Sequence, residues 1–184
     1  MSLLQTLRND SVTAWAGLLV LGVVTGIASA YTFNIEQPRG QISGLVRLYA
    51  PGLIYGSALG LYLLIVKESK WWIAALFALS VVVSWRLALL VVIDQSWTPF
   101  WAGATGAAGM AVAAAVLFRA LRSPWRLLSL VATGAVTGDL GLRITQSMDD
   151  WSGLFALWQA AVGLALGYGL FLAKSKQDTA EPAG

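Results

Sequence analysis

The chain contains neither cysteine nor histidine. Disulfides, thiol catalysis, cysteine-held iron–sulfur clusters, histidine-held haem and the usual zinc sites are thereby excluded. The commonest general base is missing too. Charge is also scarce, at 11% of 184 residues, whereas a soluble domain carries about 25%. The motifs HExxH and GxSxG do not occur, and Asp139 alone cannot supply the paired carboxylates of an aspartyl protease. The expectation is a protein that is not an enzyme and holds no metal or cofactor.

What is present is apolar: 58% of the residues are hydrophobic, and the mean hydropathy is +0.71. A helix that crosses a bilayer needs roughly 20 mostly apolar residues. Six stretches qualify, at about 12–33, 42–66, 71–93, 98–118, 125–146 and 151–173. Polar or turn-forming breaks separate them: NIEQPRGQ, KESK, DQSWTP, RALRSPWR and SMDD. The expected fold is an all-α integral membrane protein, with six transmembrane helices in a compact bundle over 1–173. Residues 174–184 are expected to form a disordered cytoplasmic tail.

The charges sort by loop. Arg8, Lys67, Lys70, Arg119, Arg122, Arg126, Lys174 and Lys176 make up eight of the twelve basic residues, all at one end of the spans. The three opposite loops hold Arg39 alone, with Glu36, Asp94, Asp149 and Asp150. Short loops rich in lysine and arginine stay cytoplasmic, so both termini are expected inside, in a multi-pass protein of the cell (inner) membrane. This bias accounts for the net charge of +3 without a nucleic-acid partner. The doublet Asp149–Asp150 reads as a solvated turn.

Arg8, the run AWAGLLVLGVVTGI and the small residues ASA at 28–30 resemble a signal peptide with a cleavage site after Ala30. Cleavage would leave five spans. The apolar run continues through Tyr31 and Phe33, however, and Gly22, Gly26 and Ala30 recur every four residues as a packing face. An uncleaved helix is therefore expected.

Two further patterns bear on the bundle. Ile35-Glu36-Gln37, Ile93-Asp94-Gln95 and Ile144-Thr145-Gln146 each close an odd span, about twenty residues after Trp15, Trp72 and Trp125. That spacing is the mark of three tandem helical hairpins, although tryptophan also belts membrane interfaces. Glycines at 52, 56 and 60, at 103, 106 and 109, and at 134, 138 and 141 offer close helix packing, or faces for a membrane-protein partner or a second copy. Pro51 interrupts the second span and frees the carbonyl of Arg47.

Four ionisable residues lie inside spans. Counted from the nearer helix ends at about 1.5 Å per residue, Arg86 lies about 12 Å deep, Asp139 about 10 Å, Arg47 about 9 Å and Arg143 about 5 Å. Asp139 and Arg143 are spaced i, i+4 and can pair; Arg86 is a second candidate partner for Asp139. Together Arg47, Arg86, Asp139 and Arg143 form the candidate ligand-binding set. Arginine presents a planar donor fork suited to carboxylate or phosphate, so a small anionic solute is the expected ligand. Thr133, Thr137, Gln146 and Gln159 extend a polar lining, and Tyr55 and Tyr62 share a face. The bland alternative is ion pairing and snorkelling to the headgroups.

In size, topology and small-residue first helix the chain is similar to the substrate-binding subunits of energy-coupling-factor transporters. That resemblance implies a small-solute transport or substrate-binding membrane component. The alternative expectation is a non-catalytic accessory or assembly subunit of a larger membrane complex.

Overall fold

A computed structural model describes residues 3–34, 41–67, 69–93, 98–148 and 151–172, with side chains described at 5–32, 48–67, 69–91, 98–147 and 151–172. The tail 174–184 lies outside the described residues. So do Ile35–Gln37, Asp94–Gln95 and Asp149–Asp150, together with the Arg47 side chain.

The described chain is helical throughout: α1 (Leu3–Asn9), α2 (Ser11–Asn34), α3 (Gln41–Val66), α4 (Trp71–Ile93), α5 (Pro99–Leu117), α6 (Pro124–Met148) and α7 (Ser152–Gly167). A π-helical turn, Tyr168–Leu172, extends α7. Six helices, α2 to α7, are long and apolar enough to cross a membrane, as expected. This is the build of a polytopic membrane protein, with a lipid bilayer as its surroundings.

The short helix α1 was not foreseen. It breaks off at Asp10, whose carboxylate caps α2 by accepting from the Val12 amide at 3.0 Å and from the Thr13 hydroxyl. These hydrogen bonds, the Thr13 contact first, hold the Asp10 carboxyl below its ordinary range.

Each spanning helix packs on its neighbours in the chain, and α2 closes the ring on α7. The most extensive contacts are α2 on α7, α5 on α6 and α3 on α4. Each of these three seams is built on small residues. A Cβ added at Gly22 or Gly26 would land on the α7 backbone at Ala160 or Ala156. One added at Gly103 would strike the Gly134 carbonyl. At Gly56 it would stand 2.6 Å from the Ala78 carbonyl oxygen. Lipid tails are as apolar as leucine, so helices in a bilayer associate through close backbone approach rather than by escape from water. The glycine faces thus meet the small residues of neighbouring helices inside the bundle, alanine for α2 and α3 and glycine for α5.

The helix α3 runs through Pro51 as one element. Proline has no N–H to offer the carbonyl four residues earlier. The next carbonyl along, that of Leu48, is taken by the Trp85 indole of α4 at 2.9 Å. The loosened backbone is therefore stitched to the neighbouring helix.

At the end where α3, α5 and α7 finish, basic side chains meet helix carbonyls. Arg8 donates to Ile65 at 2.9 Å, Lys67 to Leu170 at 2.9 Å and Arg122 to Ala115 at 3.1 Å. Lys67 also lies over the Phe171 ring. A cation at a helix C-terminus offsets the negative end of the helix dipole and fills acceptors the helix leaves open.

Candidate functional site

At the opposite end of the bundle, α4, α5, α6 and α7 enclose a cavity of about 200 Å³. Its larger lining residues include Trp85, Trp151, Phe155 and Trp158, with room left by Ala88, Ala102, Gly103 and Gly138. Among the described residues, none that lines it carries a charge. The aromatic rings hold one another in place. Trp85 and Phe155 lie 5.4 Å apart between centroids, and Trp151 and Phe155 lie 6.4 Å apart. Trp158 meets Tyr55 edge-on at 6.3 Å.

Two of these indoles are also tied by their N–H. Trp158 donates to the Gly134 carbonyl at 3.1 Å and Trp85 to the Leu48 carbonyl. A buried tryptophan with a satisfied N–H presents only its apolar faces to a void. The Trp158 ring fits because α5 carries Gly106 opposite it, where a Cβ would stand 3.1 Å from the ring. The cavity therefore arises from large flat rings set against residues with no side chain.

Beside this cavity runs a short polar chain across the bundle. Tyr55 donates to the Gln159 carbonyl at 2.7 Å, the Gln159 amide to the Ser29 hydroxyl at 3.0 Å, and Ser29 to the Thr25 carbonyl at 2.7 Å. The chain ties α3, α7 and α2 together. The Gln159 Oε1 is buried without a hydrogen-bond partner. Of the polar residues expected to form a lining, only Gln159 is fully buried; Thr137 bonds back to Thr133 of its own helix, and Gln146 is exposed.

Three of the four charged candidates have described side chains: Arg86, Asp139 and Arg143. Asp139 and Arg143 pair with each other at 2.9 Å on the outward face of α6, where their side chains are 38% and 74% exposed. Arg86 lies on α4 with its guanidinium 4.9 Å from the centre of the Tyr49 ring of α3. The helices α4 and α6 pack on opposite sides of α5, and Asp139 takes Arg143 as its partner rather than Arg86. Arg47 is on α3, two residues before Tyr49. Arg86, Asp139 and Arg143 do not line the aromatic cavity.

The residues that do line it were not picked out from sequence as a site. The available signal was Trp85, Trp151, Phe155 and Trp158 concentrated toward one end of the spans, but interfacial aromatic belts give the same pattern. Among the described residues no group of three or more acidic side chains could hold a metal ion. Six apolar helices among the described residues make this the build of a polytopic membrane protein. Set against protein-family models, curated proteins and solved structures, the chain matches none.

Proposed function

We propose that the protein is a solute-binding component of the cell membrane, and that its ligand is a small apolar or aromatic molecule held in the cavity between α4 and α7. The observation that carries this reading is a void walled by three tryptophans and a phenylalanine, with no charged side chain among the described residues of its lining. Ligand sites are concave, mostly apolar and largely pre-formed. The anion expected from sequence would call for charged side chains, and the described Arg86, Asp139 and Arg143 do not belong to this lining. The test is photolabelling with a naphthyl diazirine, followed by peptide mapping. Label at Leu142 and Phe155 that disappears in Ala102→Leu, while label on the exposed surface stays, supports the reading. Equal labelling of both proteins at those residues would sink it.

Two parts of the reading concern placement. The first helix is retained, because Gly22 and Gly26 seat it on α7. The basic end of the bundle, with both termini, faces the cytoplasm. The cysteine-free chain makes this testable with single cysteines. Thr98→Cys should react with an impermeant maleimide in intact cells, and Ser123→Cys only after permeabilisation; the reverse pattern inverts the topology.

A second reading has its own observation. The Asp139–Arg143 pair sits on an outward face that carries it into the span, which suits contact with a partner subunit of a larger membrane complex. Co-purification of a stoichiometric partner that is lost in the Asp139→Ala, Arg143→Ala double variant would favour it.

A further inference from the structure

We propose that Arg86 and Tyr49 form a binding site for the phosphate of a membrane phospholipid, whose acyl chain lies along the outer groove between α3 and α4. The proposal is independent of the aromatic cavity and uses none of its ligand contacts.

The position of Arg86 follows from the burial pattern of its helix. Phe77, Val81, Ser84 and Ala88 are buried and mark the inward side of α4. Leu79, Val83 and Leu90 are between 52% and 59% exposed and mark the outward side. Arg86 is three residues after Val83 and four before Leu90, so it stands at the edge of the outward side, and its contact with Tyr49 shows that this edge faces α3. It is half-buried. Its Nη1 is fully buried and has no hydrogen-bond partner.

A guanidinium cannot shed its charge, and it carries five N–H donors and no acceptor. Stacking on Tyr49 satisfies its face but not its donor edge. An unmet donor on a charged group in an apolar medium is costly, and a turn of the half-exposed side chain carries the buried nitrogen outward to an acceptor that the bilayer supplies. Seven residues separate Arg86 from the end of α4 at Ile93, a rise of about 10 Å. A long side chain at that depth meets the phosphate layer by snorkelling, drawing a headgroup inward as it does so. Phosphate offers two oxygens to the planar fork.

Below the cation, the groove is apolar on both walls. Leu53 and Leu61 are exposed on α3, and Leu76, Leu79 and Val83 on α4. A cation at the top and a hydrocarbon track beneath it match a phospholipid better than a free anion, which would leave the track unused. Asp139–Arg143 makes the internal contrast, since that arginine already holds a carboxylate.

The experiment is native mass spectrometry of the intact protein released from mild detergent, with three additions: phosphatidylglycerol, diacylglycerol and inorganic phosphate. Phosphatidylglycerol should be retained, diacylglycerol should not, and inorganic phosphate should neither bind nor displace it. Arg86→Gln should weaken retention about tenfold, and Arg86→Lys should recover only part of it because the fork is lost. Tyr49→Leu, which keeps the charge, should weaken retention several-fold; Arg143→Gln should leave it unchanged. Equal retention of phosphatidylglycerol and diacylglycerol, or no change in Arg86→Gln and Tyr49→Leu, would overturn the site. Displacement by inorganic phosphate would overturn the lipid as its ligand.

Discussion

The α5–α6 seam and the cavity at the mouth of the bundle share two residues, Gly103 and Gly138, yet they are opposite kinds of contact. In the seam, Gly103 sits on the carbonyl of Gly134, and Ala107 occupies the space in front of Gly134. Backbone touches backbone and nothing is left over. A few residues away, Trp85, Trp151, Phe155 and Trp158 hold α4 and α7 off α5 and α6, and a void remains. Small residues let helices close completely. Rigid rings pack through their edges and faces, and leave gaps wherever the opposite helix offers glycine or alanine. In a bilayer the seams hold the bundle, and the mouth keeps a void.

The sharpest way to break this contrast is to put bulk into a seam. Gly103→Val and Gly26→Val place their new carbons on the Gly134 carbonyl and on the Ala156 backbone. Both should lie at or beyond the top of the usual ~1–3 kcal/mol cost of overpacking, seen as loss of the monodisperse particle and a large fall in Tm in detergent. Survival with an unchanged Tm would show that the seams yield.

A paired substitution sharpens the comparison. Ala107→Leu adds bulk to a buried seam position and should destabilise by about 1–3 kcal/mol. Ala102→Leu adds the same carbons at the mouth, where the void can take them, and should change stability by less than about 1 kcal/mol while closing the cavity. Equal Tm shifts for the two would erase the distinction between seam and mouth.

Smaller again is Asp139→Asn. The pair it breaks lies on the outward face of α6, and a side-chain hydrogen bond within a membrane domain contributes on average roughly 0.6 kcal/mol. A loss of several kcal/mol in a denaturant titration would mean that the outward face of α6 is covered in the working protein.

The least effect belongs to Asp10. Its carboxyl is held below the ordinary value of 3.8 by Thr13 and Val12. A group whose folded pKa is depressed stabilises the fold above its unfolded pKa, and that contribution fades as pH falls through the folded value. Hydrogen exchange at the Val12 amide should therefore accelerate, relative to an unstructured control, below the ordinary carboxylate range. The change should be absent in Asp10→Asn.

Much of the bundle was legible in the chain. Length and apolarity dictate six helices, because a helix is the one open-ended segment that satisfies all its backbone groups in lipid. The four-residue spacing of Gly22 and Gly26, and of Gly134 and Gly138, marked packing faces, since residues four apart share a side of a helix. The Asp139–Arg143 pair was legible for the same reason, being local. The excess of basic residues at one end was legible too, but its cause was not: Arg8, Lys67 and Arg122 cap helix carbonyls there as well as carrying the charge bias.

The tertiary structure decided what depends on the neighbour. Whether Arg86 turns toward Asp139 or onto Tyr49 is set by the order of helices around the ring, which places α5 between α4 and α6, and no spacing within one helix encodes that order. The cavity is likewise a property of four helices at once, because a void is the space that Trp85, Phe155 and Trp158 fail to fill against glycines elsewhere in the chain. Sequence determines which residues can meet closely; only the assembled bundle determines which do, and where room is left for something else.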